Sequence, residues 1–289
     1  MRDDFAVFIL THGRAGNIST LKPLYEGNYT GKLYFLIDDE DEQADDYRRL
    51  YGDENVIVFE KQKVFETTDT MDITGERKAI LFARRAVFGV AKSLGLRYFL
   101  MLEDDFNAFE YRWIDGKKLM CRDCKNLDAI FEGMITFLED SGALSVALAQ
   151  GGDFIGGANS GNFQRRIWRK AMNTFFCRVD RPIDFRGTMN EDVTAYTTLG
   201  SRGELFLTVA NANIRQKATQ STEGGMTDLY VREGTYQKSF YSVMSMPSAV
   251  RVSVMGARHK RIHHSVDWDS CVPKILGERW RKNASDQRE

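Results

Sequence analysis

Three carboxylates in a row, Glu103-Asp104-Asp105, follow directly on the apolar run Tyr98-Phe99-Leu100-Met101-Leu102. Acids packed this closely repel one another, and hard divalent cations take carboxylate oxygens. The triplet therefore suits a metal site, although a polar turn has the same composition. A second acidic stretch, Asn190-Glu191-Asp192-Val193, stands where a helix is expected to begin. A helix N-terminus stabilises carboxylates through its dipole, and a carboxylate kept ionised there can act as a general base. Glu191 and Asp192 are both candidates, and spacing does not choose between them. Further on, Arg258, His259, Lys260, Arg261, His263 and His264 cluster, with three of the chain's four histidines among them. Imidazole binds divalent metals, whereas the cluster as a whole suits phosphate or a solvated basic surface.

These groups need elements to hold them. Tyr98–Leu102 is too short for a helix and reads as a strand covered on both faces. In open α/β sheets ligands lie outside the carboxyl ends of strands, which is where Glu103–Asp105 falls. Phe5–Leu10 reads as the first strand, followed by Thr11-His12-Gly13-Arg14. A glycine there lets the backbone approach a ligand, and a following helix start favours anions. Lys32–Ile37 is a second strand, whose terminal Asp38 and Asp39 can accept hydrogen bonds from a base or a ribose. The rest of that run, through Asp41, reads as a solvated loop. Val56–Phe59 is a third strand. A helix is expected from Glu76 to Leu94, burying Ile80, Ala83, Val87, Val90, Ala91 and Leu94 and stopping at Gly95. On that wheel Arg77 and Arg84 lie beside the apolar face, where they either reach toward a diphosphate in the crevice or stand solvated.

The alternation of strand and helix predicts an α/β fold: a mostly parallel central sheet with helices on both faces. Residues 106–125 read as less regular, with a hairpin at Asp115-Gly116. Asn126 is placed to cap a helix that turns Leu127, Ile130, Phe131, Met134, Ile135 and Leu138 inward. A strand over 144–149 precedes a glycine-rich loop at 150–159, a basic stretch at Gln164–Lys170 and a strand at 203–208. The C-terminal third is expected to be irregular, with turns at Gly224-Gly225, Gly234 and Gly256 and a second basic-aromatic patch at Arg279–Lys282.

The bulk numbers narrow the classes. Of 289 residues 43% are hydrophobic and 28% charged, as in an ordinary globular chain. No apolar run is long enough to span a membrane, and Met1-Arg2-Asp3-Asp4 lacks the core of a signal peptide, so a cytoplasmic location is expected. A net charge of −1 leaves any nucleic-acid contact to local basic patches. Reduced thiols are expected for the four cysteines, since zinc at Cys121 and Cys124 would lack two ligands nearby in sequence.

The order of these sites resembles glycosyltransferases of the GT-A fold, with a nucleotide-binding half, an acidic metal motif at a strand end, a later Glu-Asp pair and, in some members, a C-terminal metal histidine. Glu103-Asp104-Asp105 matches the first motif with Glu at its first position in place of Asp. More narrowly, Asn190–Val193, Thr219–Ser221, Gly224–Asp228, Gly234–Tyr236, Lys238–Tyr241 and Arg261–His264, in that order, resemble the bacteriophage TET-associated DNA glycosyltransferases, encoded beside ten-eleven-translocation-type dioxygenases. The likeness runs from Phe5 to Leu276. It implies one GT-A-like catalytic domain over 1–289, with a nucleotide-sugar half (1–110), an acceptor-side half (111–215) and a C-terminal segment (216–282) folding back on the site. It implies transfer from a nucleoside diphosphate sugar, with a UDP-sugar as the expected donor, to 5-hydroxymethylcytosine in phage DNA. Mn²⁺ or Mg²⁺ would assist, in the cytoplasm of the infected host, with no obligate protein partner. Thr11, His12, Arg14, Asp38, Asp39, Arg77, Arg84, Asp104 and Lys238 would then hold the nucleotide sugar. Glu103, Asp105 and His263 or His264 would hold the metal, and Glu191 or Asp192 would be the base. A nucleotidyltransferase would share the strand-end carboxylates, and a non-catalytic DNA-binding module would need neither acidic site.

Overall fold

A computed structural model describes residues 1–71, 77, 80–165, 167–216, 227–256 and 260–271. The motif residues Thr219–Ser221 and Gly224-Gly225, the basic pair Arg258-His259 and the patch Arg279–Lys282 lie outside them.

The first half follows the expected alternation. It comprises β1 (Phe5–Leu10), α1 (Leu21–Glu26), β2 (Lys32–Asp38), α2 (Ala44–Tyr51), β3 (Val56–Phe59), α3 (Lys61–Glu66), α4 (Ile80–Ser93) and β4 (Tyr98–Glu103). Every residue of β1 is buried, and the pleat sends Phe5, Val7 and Ile9 into one core and Ala6, Phe8 and Leu10 into the other. Such a strand needs both faces covered, which is why it reads as a continuous apolar run. The first core is closed by α5 (Leu127–Ser141) and the second by α4 and α7 (Glu191–Ser201).

Between these helices lie β5 (Phe106–Asp115) and β6 (Lys118–Asp123) before α5, then β7 (Ser145–Ala149), α6 (Gly161–Arg165), β8 (Ile167–Trp168) and β9 (Phe175–Arg178) after it; β10 (Phe206–Gln216) follows α7. The main sheet runs β3-β2-β1-β4-β9-β7-β10-β5-β6, with β8 beside β10. Pairing is parallel from β3 to β4 and between β7 and β10, and antiparallel at the other contacts. The strands of the first half are therefore joined in parallel throughout. Strand order reverses between β1 and β4, and the crevice at their carboxyl ends is the topological switch point where α/β sheets take ligands.

Local signals held where they rested on a specific mechanism. The Asn126 side chain accepts from the Ala129 N–H at 3.0 Å and caps α5, which stops at Gly142 with φ 66°. Residues 106–123 are more regular than expected: the hairpin at Asp115-Gly116 is a long one that completes the sheet. The C-terminal segment also carries more regular structure than its composition announces. It forms α8 (Thr227–Ser245), then a hairpin of β11 (Val250–Met255) and β12 (Arg261–Val266), then α9 (Trp268–Cys271). Gly234, read as a turn, lies inside α8, whereas Gly256 does end β11 with φ 99°. No helix of the described residues is long and apolar enough to cross a membrane.

Candidate active site

The pleat of β4 distributes its acids. Tyr98, Leu100 and Leu102 face the α5 core, and Phe99 and Met101 face the α4/α7 core. Glu103, next in the alternation, points to the same side as Phe99 and Met101. There it meets Arg84 of α4, whose Nη2 lies 2.8 Å from Glu103 Oε1. The same guanidinium places Nη1 2.9 Å from Glu191 Oε1 at the start of α7, off the hydrogen-bonding direction. Nη1 and Nε thus have no hydrogen-bond partner among the described residues. Arg84 is 2% exposed and lies over the rings of Phe175 and Phe185.

This overturns the reading of α4. The helix buries Leu81, Arg84, Phe88 and Ala91 at helical spacing, with Phe82 and Val87 alongside, while Leu94 is 40% exposed. A charged residue inside the apolar stripe rotated the expected face, because Arg84 was counted as polar. Arg84 lies between the Glu103 and Glu191 carboxylates. Arg77 precedes the helix and pairs with Glu40 and Gln62 near the end of β2, away from Glu103.

Asp104 is held on both oxygens, by the Thr11 hydroxyl at 2.7 Å and Arg14 Nη1 at 2.8 Å. It ties the loop after β1 to the loop after β4, with one donor on each of its two oxygens. The Thr20 hydroxyl donates to the Glu103 carbonyl at 2.6 Å and accepts from Phe106 N–H at 3.0 Å, which fixes the turn carrying the acids. The carboxylate of Asp105 meets Gln216, at the end of β10. Gln216 Nε2 lies 3.1 and 3.3 Å from the two Asp105 oxygens and 3.0 Å from Glu103 Oε2. Gln216 comes here because it pairs with Phe106 across an irregularity in the β10–β5 ladder. Nothing in the sequence around it marks it.

Electrostatics follow from this crowding. Burial raises the Glu103 carboxyl to about 8, against the pull of Arg84 and with Asp105, Glu191 and Asp192 adding to the rise. Burial also raises Asp105, opposed by Gln216, and raises Glu191, opposed by Arg84. The first and second acidic motifs are therefore close enough to sense each other.

At the end of β2 a second cluster forms. His12 Nδ1 lies 2.9 Å from Asp38 Oδ2, and Lys61 Nζ lies 3.2 Å from Asp38 Oδ1. The hydrogen bond to the Asp38 carboxylate raises His12 above its usual value; burial alone would raise Asp38, yet His12 and Lys61 hold it below the carboxylate range. Asp39 accepts from the Lys61 N–H at 2.9 Å and so anchors the start of α3. Asp41, read as solvated, is buried and accepts from the N–H groups of Gly13 and Gln43. The partner it needed was the backbone of a loop distant in sequence. Tyr47, also unmarked in the sequence, holds Thr11 and the Arg14 N–H through its hydroxyl.

The C-terminal segment closes on the second acidic motif through Asn190. Its φ is 52°, and its Nδ2 lies 2.8 Å from the Lys238 carbonyl, 3.1 Å from Ser242 Oγ and 3.3 Å from His264 Nδ1. The His263 and His264 rings stand 4.3 Å apart on β12. Burial lowers both, with Arg261 and Lys238 adding to the effect at His263, and His263 and Lys238 at His264, which falls to about 3. Among the described residues, however, no three His, Cys, Asp or Glu side chains stand together at metal-holding distances, so Glu103, Asp105 and the two histidines are not one preassembled ligand set. The histidines are held instead on a hairpin that packs against α8 and Asn190.

Solved structures of similar overall arrangement include a glucosyl-3-phosphoglycerate synthase from Mycobacterium tuberculosis in complex with Mn²⁺, UDP and phosphoglyceric acid, with 8% identity over 91% of this chain and 86% of that one and a TM-score of 0.45. A mannosyltransferase from Pyrobaculum calidifontis in complex with GDP-Man and Mn²⁺ has 10% identity over 86% of this chain and 73% of that one, at a TM-score of 0.46. No curated protein matches the sequence. A family model does, over residues 5–225, which is more than half of the chain; the chain belongs to the TET-associated glycosyltransferases and is a glycosyltransferase.

Proposed function

We propose that this enzyme moves a sugar from a nucleoside diphosphate sugar to the hydroxyl of 5-hydroxymethylcytosine in DNA, with Mn²⁺ or Mg²⁺. The observation that carries the reading is the convergence of two acidic motifs, from a strand end and a helix start, on one buried guanidinium at the switch point of the sheet. The family's association with oxidised methylcytosine supports the acceptor.

The donor set fits a hard divalent cation. Carboxylate oxygens of Glu103 and Asp105 face a common point at Gln216 Nε2, and hard divalent cations take such oxygens. A cation bound there offsets the negative charge that grows on the leaving diphosphate. Thr11, Arg14 and the half-exposed ring of His12 line the nucleotide side. Asp38 and Asp39 act through the residues they hold. On the acceptor side the two candidate bases differ. Glu191 is engaged by Arg84, whereas Asp192 Oδ1 accepts from its own helix at the Val193 N–H, 2.7 Å away. Asp192 is the base in this reading: it takes the proton of the acceptor hydroxyl as the oxygen attacks. Lys238, which senses Glu191 and both histidines electrostatically, adds positive charge to the pocket. A base inside duplex DNA is reached by flipping it out of the stack, and in this reading the segment from Gln150 to Asn159 receives it.

The test is incubation with hydroxymethylated DNA, Mn²⁺ and a panel of sugar nucleotides, followed by mass measurement of the digested nucleosides. A hexose added to hydroxymethylcytidine is the expected product. Addition of a nucleoside monophosphate would point to nucleotidyl transfer, and unchanged nucleosides with every donor would remove the acceptor from the proposal.

A further inference from the structure

One amide nitrogen stands where negative charge converges. Gln216 Nε2 is within 3.3 Å of three carboxylate oxygens, one from Glu103 and two from Asp105. Its own oxygen is not idle: Gln216 Oε1 accepts from Asn173 Nδ2 at 2.8 Å, and the same Nδ2 donates to Gln150 Oε1 at 2.7 Å. Gln150 opens the glycine-rich segment, and its N–H is bound by Asp153 Oδ2 at 3.1 Å. Three amides thus stand in series between the acidic point and that segment.

An amide has two faces of opposite sign. A cation repels the N–H face and attracts the oxygen. Turning Gln216 to present Oε1 brings its NH₂ against Asn173 Nδ2, a donor facing a donor. That conflict is relieved only if Asn173 also turns, which sets its oxygen against Gln150 Oε1 and obliges Gln150 to turn or let go. We propose, building on the cation-site reading above, that Gln216 is a further residue of that site, giving its amide oxygen to the cation. Asn173 and Gln150 relay the turn to residues 150–160. The cation on the donor side thereby sets the state of the segment assigned to the acceptor. Asn173 is suited to a relay because φ 60° holds its backbone in the left-handed region and its side chain inward, where one nitrogen meets both partners.

The test is Mn²⁺ titration of the full-length protein by calorimetry, paired with hydrogen exchange over residues 150–160. Wild type is expected to bind Mn²⁺, and Asp105→Asn to lose most of that binding. Gln216→Ala is expected to weaken it by about 10-fold to 100-fold, the range for removing a supporting group of a metal site. Gln216→Glu is expected to do two opposite things: lower the melting temperature without metal, by adding a like charge, and tighten Mn²⁺. Exchange at 150–160 is expected to change on adding Mn²⁺ in wild type. In Asn173→Gly, where glycine keeps the backbone conformation, Mn²⁺ should bind with the same response lost. Wild type that takes up no Mn²⁺ would sink the cation-site reading and this inference together. Mn²⁺ binding lost in Asp105→Asn but unchanged or tighter in Gln216→Ala would leave the site standing and overturn the role of Gln216. An exchange response identical in Asn173→Gly would overturn the relay.

Discussion

The two acidic motifs use opposite devices to bring carboxylates together. At the end of β4, three adjacent acids are sent to three surroundings: Glu103 to Arg84 and Gln216, Asp104 to Thr11 and Arg14, Asp105 to Gln216. The strand ends at Glu103, and the turn at Asp104-Asp105 sends the next two acids in different directions, Asp105 back to the Gln216 that Glu103 also meets. At the start of α7 the backbone coils instead. Glu191 reaches Arg84, Asp192 folds onto the first turn, and Asn190 in its left-handed conformation aims at α8 and β12. The strand end collects partners from far along the chain. The helix start does so too, through Glu191 and Asn190, and only Asp192 bonds to the N–H groups of its own first turn. In the proposed mechanism the strand end supplies charge density and the helix start supplies the proton acceptor.

The largest expected effects separate the two. Asp192→Asn should lower turnover by about a hundredfold to ten-thousandfold, the usual range for a lost general base, with Mn²⁺ and nucleotide binding retained. Asp105→Asn should instead lose Mn²⁺ binding in calorimetry. If both variants lose Mn²⁺ alike, the division between the motifs is wrong. Next in size is the group they share. Arg84→Met leaves Glu103 and Glu191 buried without their cation and should cost about 3–5 kcal/mol in denaturant unfolding, the usual range for breaking a buried pair. Arg84→Lys should recover part of that.

A pH series sharpens the comparison further. The folded value of Glu103, about 8, lies above its ordinary 4.5. A carboxyl raised in the folded state binds its proton more tightly there, so metal-free stability falls as pH rises from about 4.5 to 8. The cation competes with the same proton. The rise in melting temperature on adding Mn²⁺ should therefore grow between about pH 5 and 8, and a flat response would place the cation elsewhere. The smallest effect is a control remote from both motifs: Asn126→Ala should cost about 1 kcal/mol through the lost cap of α5 and leave Mn²⁺ affinity unchanged.

Much of the nucleotide half was legible because its signals are local. β1 to β4 are unbroken apolar runs, and the cap at Asn126 needs only three residues to declare itself. The site was legible in part. Glu103, Asp105, Glu191 and Asp192 stand out by type, yet their partners do not. Arg84 was misread because a periodicity argument sorts residues by polarity, and a guanidinium that is buried between two carboxylates violates the sorting. Gln216 gives no signal, since a lone glutamine at a strand end acquires meaning only from cross-strand register. The helix α8 was hidden by Gly234 and by a weakly segregated polar pattern.

Arg84 has a consequence for how the chain assembles. Its guanidinium is a full charge within hydrocarbon, tolerable only when a carboxylate from β4 and another from α7, over a hundred positions away in sequence, have both arrived. Docking of α4 and closure of α7 must then be one cooperative event, and a fragment ending after β4 would expose or strand an ion rather than fold as an autonomous nucleotide-binding lobe.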